Sequence, residues 1–110
     1  MMRIGTFVAA AGGFAGHLHT LTLDIGLVLV PIDPTDSENI PDYRVIAGED
    51  DDAREVGAGW KRVGEKAGAY VAIQIDDPSF VQPLRANLFQ GDGNEHVLVW
   101  SRPSRREKAD

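Results

Sequence analysis

His17 and His19 stand two residues apart in a stretch that reads as a strand, so their imidazoles share one face. Two imidazoles at that spacing supply half of a metal site. Zinc takes three or four placed ligands, the third histidine, His96, is remote in sequence, and the chain has no cysteine. The expectation is no bound metal and two polar residues on a solvated face, with a small-ligand or metal-binding protein using His17 and His19 as an alternative. Glu49, Asp50, Asp51 and Asp52 offer oxygen ligands of the kind calcium prefers. A calcium loop needs alternating ligands and a glycine at its sixth position, where this chain has Arg54, so the run reads as a solvated acidic turn. Gly57-Ala58-Gly59 lacks the third glycine of a dinucleotide loop, since position 62 is arginine, and it precedes strand-like residues rather than a helix. Those glycines suit a bulge or a close backbone approach beside the Trp60 indole. The four serines, Ser37, Ser79, Ser101 and Ser104, sit in no nucleophile elbow. Asp76 and Asp77 are adjacent, so on a strand they face opposite ways and form no carboxylate pair. No residues are assigned to catalysis, no cofactor is implied, and the chain reads as non-enzymatic.

Trp60, Lys61 and Arg62 form the constellation with most to offer, facing Tyr70 across a short hairpin. If Arg62 pairs with Tyr70, Trp60 falls opposite Ala72 and away from Val71, Ile73 and Ile75. The outer face of that hairpin then resembles a stacking platform for single-stranded nucleic acid, a candidate binding face of Trp60, Lys61, Arg62, Tyr70, Gln74 and Arg85. If Val63 pairs with Tyr70 instead, Trp60 meets Ile73 and enters the core. One residue of slip separates the two outcomes, and burial is the commoner fate of tryptophan in a small domain. Trp100 is expected in the core.

The elements that must position these residues are strands. Apolar alternation and turn signals recur at intervals of about eight to twelve residues, the pattern of an all-β domain. Strands are expected over 3–9, 14–23, 27–30, 43–47, 56–63, 70–76, 84–89 and 96–101. Gly91-Asp92-Gly93-Asn94 is the clearest hairpin signal. Residues 33–42, between prolines, read as one long loop with a helical turn capped by Thr35 or Asp36. No segment holds helical periodicity over three turns. The fold class is therefore a seven- or eight-stranded antiparallel sandwich or partly open barrel with little helix, a single β-domain over 1–101 followed by a flexible basic tail, 102–110.

One ordinary domain is also what 110 residues allow. The formal charge is −6, and because the tail carries four basic and two acidic residues, or +2, residues 1–101 carry −8. That balance argues against indiscriminate binding to nucleic acid or anionic lipid. No run of about eighteen apolar residues spans a membrane. Glycines at 5, 12, 13 and 16 interrupt the apolar start, so it reads as mature cytoplasmic sequence rather than a signal peptide. Leu27-Val28-Leu29-Val30 is apolar at every position, as if buried on both faces. With no lysine or arginine between His19 and Arg44 to guard an edge, a homodimer is expected, with Leu27, Val28, Leu29, Val30 and Ile32 in or beside its interface.

The blocks Gly57-Ala58-Gly59-Trp60-Lys61-Arg62, Tyr70 and Asp76-Asp77-Pro78-Ser79-Phe80 resemble a bacterial family, number 736 among the domains of unknown function. Ile4-Gly5-Thr6-Phe7, Gly13-Phe14-Ala15-Gly16, Thr20-Leu21-Thr22-Leu23, Pro41-Asp42-Tyr43-Arg44-Val45, Pro83-Leu84-Arg85-Ala86-Asn87-Leu88 and Val99-Trp100 match it as well. The resemblance implies an uncharacterised protein of plasmids and integrative elements, encoded beside conjugation and antirestriction genes, with no assigned activity and no catalytic residues to carry over. Lys61, Arg62 and Arg85 follow the family pattern. His17 and His19 depart from it, since basic or small polar residues are commoner there. The leading expectation is a non-enzymatic accessory domain that binds a macromolecule, a protein partner ahead of nucleic acid, with an acidic surface suited to basic DNA-handling machinery. A single-stranded nucleic-acid binder is the alternative.

Overall fold

Eight strands, each hydrogen-bonded to the next and the last to the first, close into an antiparallel barrel. The computed structural model describes residues 2–33, 40–48, 50–66 and 68–101. The strands are β1 (Met2–Ala10), β2 (Gly13–His19), β3 (Asp24–Pro31), β4 (Tyr43–Ala47), β5 (Arg54–Gly64), β6 (Gly68–Ile75), β7 (Leu84–Gln90) and β8 (Glu95–Trp100). A three-residue 3-10 turn, Asp50–Asp52, is the one helical element among the described residues. No helix there is long and apolar enough to cross a membrane. The turn expected at Thr35 or Asp36 and the basic tail 102–110 lie outside the described residues.

Alternation decides which residues point inward. Phe7, Leu18, Leu27, Leu29, Val45, Val71, Ile73, Ile75, Leu88 and Leu98 converge on the axis and fill the interior, as eight strands leave just enough room for side chains. Trp100 packs half-buried against this core, as expected. One end of the barrel is plugged by rings: Phe14 stands 5.8 Å from Tyr43 and 4.7 Å, edge-on, from His96. The other end, where the β2–β3, β4–β5 and β6–β7 connections lie, is open.

The strand expected over residues 27–30 is real, but the reading that it is covered on both faces is not. Leu27 and Leu29 are 2% and 1% exposed inside the barrel, whereas Val28 is 42% exposed and Val30 half-buried on the outer wall, with Ile32 half-buried beyond the strand. Nor is β3 an edge strand, because β2 and β4 flank it and closure leaves the barrel without an edge. The argument for a dimer from an unguarded edge therefore falls away.

Extended structure expected to continue through Leu23 stops at His19. Thr20 Oγ1 accepts the N–H groups of Thr22 (3.3 Å) and Leu23 (3.1 Å), while Thr20 N–H donates to Leu23 carbonyl oxygen (2.9 Å). A threonine side chain thus makes the turn with no glycine or proline in it.

Candidate functional site

The site is built on β5 to β8, and its geometry follows from the β5–β6 register. Gly64 pairs with Gly68, whose φ of 74° belongs to the left-handed region that glycine occupies freely. From that turn the pairing runs Arg62 to Tyr70, Trp60 to Ala72 and Ala58 to Gln74. Trp60 is therefore not core; it lies half-buried on the outer wall, back to back with the inward Ile73 and Val71. The glycines before it serve close approach, as expected. The β4–β5 ladder shifts register between Val45 and Ile46, leaving Val56 as the extra residue, and a Cβ on Gly57 would press against the Gln74 carbonyl.

Pairing across β6, β7, β8 and β1 extends the wall into continuous rows. One runs Trp60, Ala72, Asn87, Val99, Arg3, and the next Arg62, Tyr70, Phe89, Val97, Thr6, with Gln74 beside Arg85 below. The Tyr70 and Phe89 rings stand 5.3 Å apart, inclined by 39°. Five strands at about 4.8 Å spacing make a surface roughly 19 Å across. No carboxylate occurs in these rows. Among the described residues Arg44 pairs with Glu55 (3.7 Å) and Arg54 with Asp77 (3.3 Å), while Arg3, Arg62 and Arg85 make no ion pair. A shallow cleft of about 350 Å³ borders the platform, with Trp60, Ala58 and Gln74 against Glu55 and Asp76.

The structure brings together five of the six residues expected on this face and removes one. Lys61 alternates to the opposite side, where its ammonium lies 5.8 Å from the Tyr43 ring centroid and its N–H donates to Asp42 Oδ2 (2.8 Å). Phe89 and Arg3 belong to the surface although sequence reasoning missed them. Phe89 becomes legible only once Tyr70 is placed outward, since cross-strand partners share a face.

The remaining candidates do not converge. His17 Nε2 lies 2.8 Å from Asp24 Oδ1, both exposed, with His19 beside them on the outer wall. No group of three potential metal ligands occurs among the described residues. Asp76 and Asp77 lie past the end of β6. Asp77 accepts the Ser79 hydroxyl (2.5 Å) and Ser79 N–H (2.9 Å) and pairs with Arg54, building a turn. The Ser79 hydroxyl, then its N–H, with the Arg54 charge adding to them, hold the Asp77 carboxyl below its ordinary value against a small desolvation. A carboxylate lowered in the folded state stabilises it above the ordinary carboxylate range and loses that contribution progressively as pH falls below about 4 and through the lowered value. Asp77→Asn should therefore melt below the parent protein at pH 7, with the gap narrowing toward pH 3. A gap equal at both pH values in thermal melts would show that ionisation of Asp77 contributes nothing.

No curated protein and no solved structure matches the chain. The model of a family described as "Protein of unknown function (DUF736)" matches residues 3–103, nearly the whole chain and every block named above. With the match extending from β1 past the end of β8, the chain belongs to domain-of-unknown-function family 736.

Proposed function

We propose that this is a non-enzymatic binding domain that takes single-stranded nucleic acid on the outer wall of β5 to β8. The observation that carries the reading is the juxtaposition of Trp60, Tyr70 and Phe89 with Arg3 of β1, Arg62 and Arg85, free of ion pairs among the described residues, in rows that hold no carboxylate and are bordered by Glu55, Asp76 and Glu95. Aromatic faces stack on bases of any sequence and guanidinium groups meet phosphates. The net charge of −6 favours a basic protein partner only where acids are displayed, and beside these rows they are confined to the margins, at Glu55, Asp76 and Glu95. At about 10 Å of screening length in 0.1 M salt, distant carboxylates weigh little on this wall. Such a partner fits the accessory role on plasmids or integrative elements that the family resemblance implies.

Fluorescence polarisation with a labelled oligothymidine in low salt tests this. Binding is expected with concomitant change in tryptophan emission. Trp60→Ala and Tyr70→Ala should each weaken it by about 5- to 150-fold, the range of one lost base stack, and Arg62→Ala or Arg85→Ala should flatten the salt dependence by about 0.7 in log–log slope. No polarisation change at 100 μM protein (roughly the weak end of nonspecific affinity) would overturn the reading.

Self-association has its own supporting observation on the opposite wall. Val8, Ala15, Val28 and Ile46 pair in sequence across β1 to β4 as one apolar outer row, with Val8 46% and Val28 42% exposed. A second copy meeting this row would leave the β5–β8 wall free.

A further inference from the structure

We propose that the open end of the barrel is a second binding site, for an alkyl chain that ends in a cation. The two ends of the barrel differ. Phe14, Tyr43 and His96 occupy one, whereas the other holds a cleft of about 470 Å³, within the roughly 300–1,000 Å³ of small-molecule sites. Its accessible lining is apolar, the half-buried Leu23, Ile25, Ala47, Val56 and Phe80, set over the fully buried Leu18, Leu27 and Ile75. Its rim is acidic, carrying Asp52, Asp76 and Asp77 against Arg54.

Arg54 is committed to Asp77 at 3.3 Å, and Asp77 is further engaged by Ser79. Asp76 accepts the N–H of Asp77 and makes no ion pair among the described residues, and neither does Asp52. Two carboxylates therefore overhang an apolar floor with their charge uncompensated. An alkyl body gains by leaving water for that floor. A cationic head gains at the rim, an anionic head is repelled, and a neutral chain is held by the floor alone. An alkylammonium or alkylguanidinium group satisfies both halves, either as a free amine or as a lysine or arginine side chain of a basic partner protein. The site shares Asp76 with the shallow cleft beside Trp60 but includes none of the platform residues, so either reading survives failure of the other.

The test is a titration of isotope-labelled protein, followed by amide shifts, with hexylammonium, hexanol, hexanoate and a lysine-rich peptide. Hexylammonium should bind about two- to fivefold tighter than hexanol, moving the amides of Leu18, Ala47, Ile75 and Phe80, with hexanoate weakest. Asp52→Asn combined with Asp76→Asn should remove the preference for hexylammonium over hexanol while leaving the amide spectrum of the free protein otherwise intact. A peptide at least about tenfold tighter than hexylammonium, a gain of extra contacts, assigns the site to a partner protein; equal or weaker binding assigns it to a small amine. Equal binding of hexanoate, shifts confined to other regions, or a preference that survives the double substitution would each overturn the proposal.

Discussion

Phe7→Ala is expected to lower the melting temperature of this barrel by at least about 12 °C. Phe7 is completely buried, pairing across to Gly16 on one side and His96 on the other. Truncating a buried phenylalanine to alanine costs about 3–5 kcal/mol, and each kcal/mol shifts the midpoint of a domain this size by about 4–8 °C. A Cβ on Gly16 would stand 2.6 Å from Phe7 Cγ and 2.7 Å from Phe7 Cα, so β1 and β2 are shaped to admit that ring. Gly16→Ala should destabilise as well, and because its Cβ would also press on the Thr6 carbonyl, Phe7→Ala should rescue it only in part. Denaturant titration of both single variants and the double variant checks this. A double variant as stable as Phe7→Ala alone would show that the ring is the whole obstruction.

Two neighbouring substitutions should have opposite fates. Leu29→Lys places an ammonium where Leu29 is 1% exposed, in an interior with no buried polar side chain among the described residues to receive it. No folded protein is expected, read as loss of the strand signature in circular dichroism or as insoluble expression. Val28→Lys, one residue earlier, places the same group on the outer wall and should melt within a few degrees of the parent, as surface changes of about 0.5 kcal/mol do. In this second variant light scattering also reports on self-association. A parent of dimeric mass that becomes monomeric with Val28→Lys assigns the Val8–Ala15–Val28–Ile46 row to the interface, and a monomeric parent at high micromolar concentration removes the dimer.

All eight strands were legible in the sequence because alternation and glycine-rich turns mark them, the Gly91 to Asn94 hairpin above all; Gly91 N–H indeed donates to Glu95 carbonyl oxygen at 2.8 Å. The turn after His19 was hidden because Thr20 makes it with its side chain. Closure was hidden too, since nothing local distinguishes a sheet that meets itself from one that stops. The same limit misread residues 27–30: four apolar residues in a row look covered on both faces, yet only Leu27 and Leu29 are in the core. At the candidate site the residue types were visible and their sidedness was not. Trp60 faces outward because Gly68 takes a positive φ and fixes Gly64 opposite it. A register one residue away would have buried the indole, taken Arg62 and Tyr70 out of their pairing, and left Lys61 on the side now held by Trp60.

Closure also restricts how any partner can be recognised. Every strand is paired to a neighbour on each side, so the barrel offers no free edge strand for β-augmentation, and along the paired stretches the main chain of a bound peptide or the backbone of a bound nucleic acid meets side chains. Recognition on such a surface is set by rotamers rather than by a hydrogen-bonding ladder. It can therefore be redrawn residue by residue on the outer wall without touching the inward half of each strand on which folding depends.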